Sequence, residues 1–421
     1  MRSQINEIKI LYDLLSKARV VGSIAPVNSF SDDPRFFEFS AKLNLTKENT
    51  DGIKDTIDAT GVDFFEPEVA LLKCLGESIE RFSLYSYRKR NIKYINVSKW
   101  PQEVFPMSSF SPFLKEDLKV GYIKGINITD NKNIIIPAKL VYLGYKAKKN
   151  EVDYQYPLIS TGAAGGFDFE STILRGIYEI IERDTFINTY LLSITVPMVD
   201  LKKIESEELS KIIISIERYN LELYVFHLTN DLAIPSFCSL LIDKTGIGPS
   251  VSVGAKAGLN IIDAIIGSIS ETLMIRTSMR TNALFPNENS EKEQKDVFLH
   301  EILKRGSYWW STEKLKNLNF LLEQSPQRMN VKDFNGSKKE ELNQVIKILK
   351  DRNFKIYFAD ITADIFKESN YRVIKVLIPG LQPIYLYENQ KKFINKKRLK
   401  QVSDFFGIKN QKINKIPHPF L

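Results

Sequence analysis

The sequence has little cysteine, no long apolar run and no secretion signal, and each absence excludes a class of protein. Two cysteines in 421 residues exclude a disulfide framework. Cys74 and Cys238 are expected to be buried, small apolar side chains in a reducing compartment. No apolar run approaches the ~20 residues of a membrane span, and the first helix-like stretch contains acids and no small-residue cleavage site. These absences predict a cytoplasmic protein with no membrane association.

The standard glycine-rich nucleotide motifs are also absent. The run STGAAGGFDF, around residues 162–166, follows a strand-like stretch and precedes a helix, as phosphate-binding loops do. It matches neither Gly-x-Gly-x-x-Gly at the required offset nor the Walker A pattern. The sequence therefore does not indicate the common dinucleotide-binding or P-loop folds.

The charge balance is basic, with a net charge of +8. Lysine clusters lie at residues 146–149 and 391–400. Neither cluster has the interleaved aromatic residues of a single-strand binding platform, and charge alone is weak evidence for nucleic acid. We therefore do not expect a nucleic-acid partner.

The most informative motif is Glu-x-x-Glu-Arg, which occurs twice in helix-like stretches. Residues three apart share one helix face, so each copy presents two carboxylates together. Buried like charges are costly unless a positive group lies between them. A divalent cation would supply that charge, and the adjacent arginines would be available to hold phosphate. The copies are Glu77, Glu80 and Arg81, and Glu179, Glu182 and Arg183.

The alternative for each copy is a solvated helix face with weak ion pairing. Solvated faces usually have polar neighbours on the same stripe, whereas these acids have apolar ones. The apolar neighbours are Leu75, Ile79, Ile177, Ile180 and Ile181. Their presence, twice, favours burial of the acids.

The remaining pattern predicts an α+β fold, because strands and helices alternate without regular βαβ units. Residues 44–63 are polar and indicate a loop or an irregular hairpin. Strand-like runs include IKYINV, LVYLGY, YPLIST, LELYVFHL, SFCSLLID, GPSVSVGAKA, FKIYFADIT and YRVIKVLIPG. His227, in one of them, is expected to be a core histidine. A third helix begins near Ile261, with Asn260 as a plausible cap, and offers Glu271, Arg276 and Arg280.

The last residues, Pro417-His418-Pro419-Phe420-Leu421, form an unusual ending. Most termini fray, and a free tail is the alternative here. Two prolines instead favour a stiff extended strip, which enters a cleft at low entropic cost. The carboxylate of Leu421 is then expected to act as a positioned base, held in place by Pro417 and Pro419.

Taken in order, the motifs resemble those of the YcaO family over most of the chain. They are LGESIERFS, STGAAGGFDFESTILRG joined to YEIIERD, SETLMIR, VIKVLIPGLQP and the final PHPF. Within the family, the chain is most similar to the stand-alone azoline-forming members of thiazole/oxazole-modified microcin biosynthesis. The resemblance implies mixed sheets with helices around a central cleft for ATP and Mg²⁺.

The resemblance also implies roles for individual residues. It places Mg²⁺ ions, bridging the nucleotide phosphates, on Glu77, Glu80, Glu179 and Glu182. It places Arg81, Arg183, Glu271 and Arg276 in the nucleotide site. The sequence departs from the family pattern at positions associated with nucleotide contacts, namely Cys74, Phe167, Ser171 and Met274.

The function implied by the resemblance is ATP-dependent activation of a backbone amide in a ribosomally made precursor peptide. Cyclodehydration of Cys, Ser or Thr would give a thiazoline or oxazoline, and the proline-rich ending favours this reaction. One alternative is thioamidation with a sulfide donor. Another is a non-catalytic scaffold, against which the retained acids argue.

Domain organisation and partners follow from the same resemblance. Residues 1–60 are expected to pack on a catalytic domain formed by residues 61–421. The chain is too short for a ubiquitin-activating-like domain, so a separate protein of that kind is expected to bind the leader of the precursor peptide. A homodimer and an FMN-dependent dehydrogenase in the same complex are further expectations.

Overall fold

The computed structural model describes residues 2–47, 50, 55–87, 91–101, 105–106, 118–152, 159–284, 304–410 and 412–420. The chain divides into two units, each assembled from three segments. The first unit consists of Met1–Val27, Phe37–Ile180 and Gly336–Gly380. The second consists of Asn28–Phe36, Ile181–Asn335 and Leu381–Leu421.

The first unit contains two antiparallel sheets. The smaller sheet has the order β1-β2-β3, with β1 at Val21–Pro26, β2 at Phe37–Leu45 and β3 at Asp55–Asp63. The larger sheet has the order β4-β5-β11-β12-β7, with β6 paired to β5. Its strands are β4 (Lys93–Asn96), β5 (Lys119–Asn127), β6 (Lys132–Pro137), β7 (Ala163–Gly166), β11 (Tyr357–Asp360) and β12 (Arg372–Leu377).

Four helices accompany these sheets in sequence. They are α1 (Arg2–Lys17), α2 (Pro67–Tyr85), the first part of α3 (Phe169–Leu192) and α7 (Lys338–Asp351). Pro67 begins α2, where its missing N–H has no cost. Gly61 of β3 allows α2 to approach closely, since a Cβ there would lie 2.2 Å from the carbonyl oxygen of Ala70. Close packing of α2 on β3 brings the acidic stripe of the helix next to strand backbone.

The second unit contains one antiparallel sheet of order β10-β9-β8. Its strands are β8 (Glu222–His227), β9 (Ser236–Ile242) and β10 (Val251–Ala257). Every residue of β9 is buried, as expected for a central strand covered on both faces. The helices are the second part of α3, then α4 (Glu207–Glu217), α5 (Ile261–Leu284), α6 (Asn319–Leu322) and α8 (Lys396–Phe405).

Most sequence predictions for these elements are confirmed, and two are wrong. Residues 37–45 and 55–63 are paired antiparallel strands. Of the two interpretations of residues 44–63, the hairpin is therefore confirmed and the loop is not. LVYLGY is a series of turns after a short 3₁₀ helix, not a strand. The N-terminus of α5 is capped from a distance by Asp333, whose Oδ1 accepts from the N–H of Ile261 at 2.6 Å, and not by Asn260.

The two cysteines are buried and free, as the sequence predicted. Cys74 packs with Ala41, Leu43 and Ala59 between α2 and the small sheet. Burial raises the pKa of Cys74 to about 12, so it is an apolar side chain and not a nucleophile. His227 is also a core residue, since its ring stacks on Phe237 and burial lowers its pKa. None of the described helices has both the length and the apolar character to cross a membrane.

Candidate functional site

Helix α2 holds the first acidic motif next to the backbone of strand β3. Glu77 Oε2 accepts a hydrogen bond from the N–H of Thr60 at 2.9 Å. Its other oxygen, Oε1, accepts from Nε and Nη2 of Arg81 at 3.0 and 2.9 Å. Burial alone would lower the pKa of Arg81, but the carboxylates of Glu77 and Glu80 raise it. The first motif therefore forms a partly buried ion cluster, as its apolar neighbours predicted.

Among the described carboxyl groups of the first unit, that of Glu80 has the largest shift in pKa. It keeps some accessible surface, yet the surrounding protein raises its pKa to about 8. Burial is the largest cause, and the charges of Glu179 and Glu77 add to it. Glu80 and Glu179 lie far apart in sequence, so the fold brings them together. Carboxyl groups whose pKa is shifted by burial and by a neighbouring charge are common at functional sites.

Glu179 is oriented by the glycine-rich turn that precedes helix α3. Its Oε2 accepts from the N–H of Gly162 at 2.9 Å. Gly162 has a φ of +87°, a conformation that L side chains rarely adopt. The glycine-rich run thus fixes a carboxylate through a backbone amide, where the sequence had only excluded the standard phosphate-binding motifs.

Lys375, which sequence reasoning missed, bonds the same turn as Glu179. It lies on strand β12 within VIKVLIPG, and its side chain is 2% exposed. Its Nζ donates to the carbonyl oxygens of Ile159 and Thr161, both at 2.7 Å. A lysine in an otherwise apolar strand was the available signal, since a buried ammonium requires partners.

The second unit holds the remaining acids of the motifs around Arg183. Its Nε lies 3.5 Å from Glu182 Oε1, and its Nη2 lies 3.6 Å from Glu271 Oε1. Glu182 is 2% exposed. Glu271 Oε2 accepts from the N–H of Ala255 at 2.8 Å. Lys256 Nζ lies 3.9 Å from Glu182 Oε2. Two acids and two cations are therefore brought together in this unit.

A common device orients three of the predicted acids. Each accepts a hydrogen bond of 2.8–2.9 Å from the N–H of a neighbouring strand or turn. The hydrogen bond fixes the direction of the carboxylate. The three acids are Glu77, Glu179 and Glu271.

Arg276 lies in a different ion network of the second unit. Its Nε donates to Asp33 Oδ1 at 2.8 Å, and its Nη2 donates to Asp243 Oδ2 at 2.7 Å. Arg280 reaches the second oxygen of Asp33 at 2.6 Å. The side chains of this network are nearly inaccessible to solvent. The exception is Asp32, a further partner of Arg280, which is partly exposed. The nucleotide contact expected of Arg276 stays a prediction, because two carboxylates hold its guanidinium.

Residues 417–420 pack into the second unit. The carbonyl oxygen of Pro417 accepts from Tyr190 Oη at 2.9 Å and from Trp309 Nε1 at 3.1 Å. His418, Pro419 and Phe420 are buried. This segment is docked, and the alternative of a free tail does not apply to it. Leu421, the predicted base, lies outside the described residues.

His418 is held as a neutral side chain. Its Nε2 lies 2.9 Å from the carbonyl oxygen of Tyr385, which only accepts, so Nε2 carries the proton. Burial, together with the nearby charge of Arg305, keeps the pKa of His418 well below its usual value. The histidine therefore anchors the segment and does not add a charge to it.

Solved structures with a similar fold define the class to which this fold belongs. The fold is similar to a heterocyclase solved in complex with substrate and cofactor, with a TM-score of 0.74, 19% identity, and coverage of 97% of this chain and 57% of that one. It is also similar to YcaO from Methanopyrus kandleri bound with AMPPCP and Mg²⁺, with a TM-score of 0.68, 13% identity, and coverage of 93% of both chains. A third structure is the E. coli microcin synthetase McbBCD complex, with a TM-score of 0.64, 15% identity, and coverage of 94% and 93%. These likenesses confirm an α+β fold of the heterocyclase type.

The family follows from the sequence itself. The family described as YcaO cyclodehydratase, ATP- and Mg²⁺-binding, matches residues 65–382. The chain belongs to the YcaO family, which confirms the resemblance read from its motifs. It spans little more than half the length of the first heterocyclase. Among curated proteins, comparison by sequence gives no match.

Proposed function

We propose that this protein uses ATP and Mg²⁺ to convert Cys, Ser or Thr residues of a precursor peptide into thiazolines or oxazolines. The side chain attacks the preceding backbone carbonyl carbon, which gives a hemiorthoamide. The γ-phosphoryl group of ATP is transferred to the hemiorthoamide oxygen, and inorganic phosphate then leaves with that oxygen. The C=N double bond of the azoline forms as the former amide nitrogen loses its proton. The peptide loses one water, and ATP becomes ADP and phosphate.

The observation that carries the proposal is the approach of Glu80 to Glu179. Burial raises the pKa of Glu80 to about 8, and the charge of Glu179, from a different helix, adds to the rise. Holding both as carboxylates opposes folding unless positive charge compensates them. A site for Mg²⁺ and phosphate gives a reason for this arrangement.

The donor set fits Mg²⁺ when the nucleotide is counted with it. Within the described residues, no group of three or more His, Cys, Asp or Glu side chains is disposed as a metal site. Mg²⁺ usually binds through one or two carboxylates together with phosphates and water, so it does not require such a group. Glu77, Glu80, Glu179 and Glu182 are the acids that would hold it. When bound, it would neutralise charge on the phosphoryl group that is transferred.

The cations and the docked segment have separate roles in the proposal. Arg81 and Arg183 would hold phosphate oxygens through their planar guanidinium groups. Glu271 fixes Arg183, since its Oε1 lies 3.6 Å from Arg183 Nη2 and its Oε2 is bonded to backbone. Residues 417–420 would place the end of the chain beside Arg183, over which the ring of Phe420 lies.

The comparisons support the peptide and partner parts of the proposal. One similar structure is a microcin synthetase complex with pro-MccB17 bound. By analogy, we propose that the substrate is a precursor peptide with a leader and that a separate leader-binding protein presents it. A homodimer and an associated FMN-dependent dehydrogenase belong to the same proposal.

The test is a double variant, Glu80→Gln with Glu182→Gln, assayed with a leader-bearing peptide and the partner protein. We expect Mg²⁺-dependent ATP turnover to fall at least a hundredfold while the fold is retained. Glu207→Gln, at an exposed pair with Lys211, is the matched control and should leave turnover unchanged. Undiminished turnover in the double variant would exclude the metal-binding role. Mass spectrometry identifies the reaction, since cyclisation removes water whereas thioamidation exchanges oxygen for sulfur.

A further inference from the structure

Arg305 is a buried cation to which the proposed chemistry gives no role. Its side chain is 3% exposed. The carboxylate of Glu388, which is itself partly exposed, lies 3.3 Å from Arg305 Nη2. A guanidinium group taken out of water is costly unless its N–H groups are hydrogen-bonded. The acceptors that the fold supplies to Arg305 therefore indicate what it holds in place.

The guanidinium of Arg305 joins two segments of the second unit that are separate in the sequence. Its Nη2 donates to the carbonyl oxygen of Leu386 at 2.8 Å and lies 3.5 Å from that of Tyr385. Its Nη1 donates to the carbonyl oxygen of Phe420, in the docked segment of residues 417–420, at 3.4 Å. The two nitrogens belong to one rigid plane, so a single side chain bridges both segments. A lysine ammonium is a point charge on one nitrogen and does not present two donors in this fixed geometry.

The docked segment has a separate anchor at each of its ends. At its start, the carbonyl oxygen of Pro417 accepts from Tyr190 and Trp309. At its other end, the carbonyl oxygen of Phe420 accepts from Arg305. Because two side chains hold the first anchor, we expect the loss of Arg305 to release the Phe420 end and to leave the Pro417 end bound.

We propose that Arg305 is a positioning residue that holds Phe420 over Arg183. The centre of the Phe420 ring lies 4.1 Å from the guanidinium carbon of Arg183. Arg305 fixes the backbone from which that ring projects, so it acts through the docked segment. The anchoring of the segment stands by itself. Its effect on ATP rests on the proposed function, in which Arg183 holds phosphate.

The first test measures the anchoring of the docked segment without nucleotide. Hydrogen exchange, measured by mass spectrometry, reports the protection of the peptide that contains residues 417–420. Arg305→Lys keeps the charge and loses the paired donors, and we expect exchange of this peptide to accelerate about tenfold, as the loss of a charge-assisted hydrogen bond implies. Arg328→Lys, at an exposed arginine, is the matched control and should leave exchange unchanged. Full protection in a folded Arg305→Lys protein would overturn the proposal.

The second test measures the KM for ATP in a double-mutant cycle. We expect Arg305→Lys to raise this KM about threefold, the order expected for the loss of one cation–π contact. In the Phe420→Ala background the ring is already absent, so Arg305→Lys should cause no further rise. An equal rise in both backgrounds would show that Arg305 does not act through the ring, and the proposal would be wrong. A purely structural role gives such additive effects.

Failure of the proposed function has a different signature. If exchange accelerates in Arg305→Lys but the unchanged protein does not turn over ATP with its peptide and partner, the proposed function fails while the anchoring of Phe420 by Arg305 stands. If ATP turnover is normal and exchange is the same in both proteins, the anchoring is wrong while the proposed function stands.

A second variant separates anchoring from folding. Should Arg305→Lys not fold, the double variant Arg305→Gln with Glu388→Gln replaces it, because neither charge of the pair is then left uncompensated. Its hydrogen exchange is compared with that of Glu388→Gln alone. Faster exchange of the peptide containing residues 417–420 in the double variant supports the proposal, and equal exchange overturns it.

Discussion

The guanidinium carbon of Arg183 lies 4.1 Å from the centre of the Phe420 ring, in a cation–π contact between helix α3 and the end of the chain. The same guanidinium lies within 3.6 Å of Glu182 and Glu271. One arginine thus links the docked segment to two of the predicted site acids. We therefore expect the position of residues 417–420 to influence the electrostatics of these two acids.

The contact between Arg183 and Phe420 gives the first prediction. Phe420→Ala removes a ring that is 1% exposed and should lower the free energy of unfolding by about 3–5 kcal/mol. It should also raise KM for ATP, because Arg183 loses one of the groups that orient it. Phe420→Leu keeps most of the apolar volume, so it should recover stability but not the KM. Denaturant unfolding and steady-state ATP turnover measure both effects.

Equal KM values in Phe420→Ala and the unchanged protein would contradict the coupling. Phe405→Ala, at an exposed ring, is the control.

The hydrogen bond from Gly162 to Glu179 gives the second prediction. In Glu179→Gln the amide oxygen can still accept from the N–H of Gly162, so the melting temperature should change little while ATP turnover is lost. Glu179→Ala also removes the acceptor and should cost about 1–3 kcal/mol of stability in addition. A thermal melt and a phosphate-release assay distinguish the two. A Gln variant with full turnover would show that the charge of Glu179 has no part in the reaction.

The pH dependence of stability gives the third prediction. The pKa of Glu80 is raised from 4.5 to about 8 on folding, so between these values the folded protein binds a proton that the unfolded chain has released. The contribution of Glu80 to the free energy of unfolding is therefore fully present below pH 4.5, and it is lost as the pH rises through 8. Glu80→Gln is neutral throughout. We expect it to become more stable than the unchanged protein as the pH increases from 5.5 to 7.5, measured by urea midpoints without nucleotide. A difference that does not vary with pH would contradict the raised pKa.

A buried ion pair beside the site gives the fourth prediction. Arg398 Nε and Nη2 donate to the two oxygens of Asp184 at 2.8 Å each, and both side chains are wholly inaccessible. Asp184→Asn leaves the arginine charge partly uncompensated and should destabilise the protein by about 3–5 kcal/mol. Lys211→Ala, which breaks the exposed pair with Glu207, should change stability by less than about 0.5 kcal/mol. Denaturant unfolding compares them, and similar small effects in both would show that Asp184 is not a structural anchor.

The helices of the site were predictable because their signals are local. The proline before α2, the apolar residues around the acids and the three-residue spacing all act within a few turns of one helix. The strands β8, β9 and β10 were predictable for a similar reason, as runs of β-branched and apolar residues. LVYLGY was misread because a short apolar run forms turns as readily as a strand when no partner strand is specified.

The sequence by itself determined which residues share a helix face, which side chains are too apolar to be exposed, and the family to which the motifs belong. Only the tertiary structure decided that Lys375 bonds the glycine-rich turn, that Asp333 caps α5, and that Phe420 covers Arg183. These contacts join residues far apart in the chain, and no local energy term distinguishes such a partner from any other residue of the same kind. They form because packing the apolar faces of helices and sheets fixes the backbones, and the polar groups then pair with whatever the packing has placed within reach.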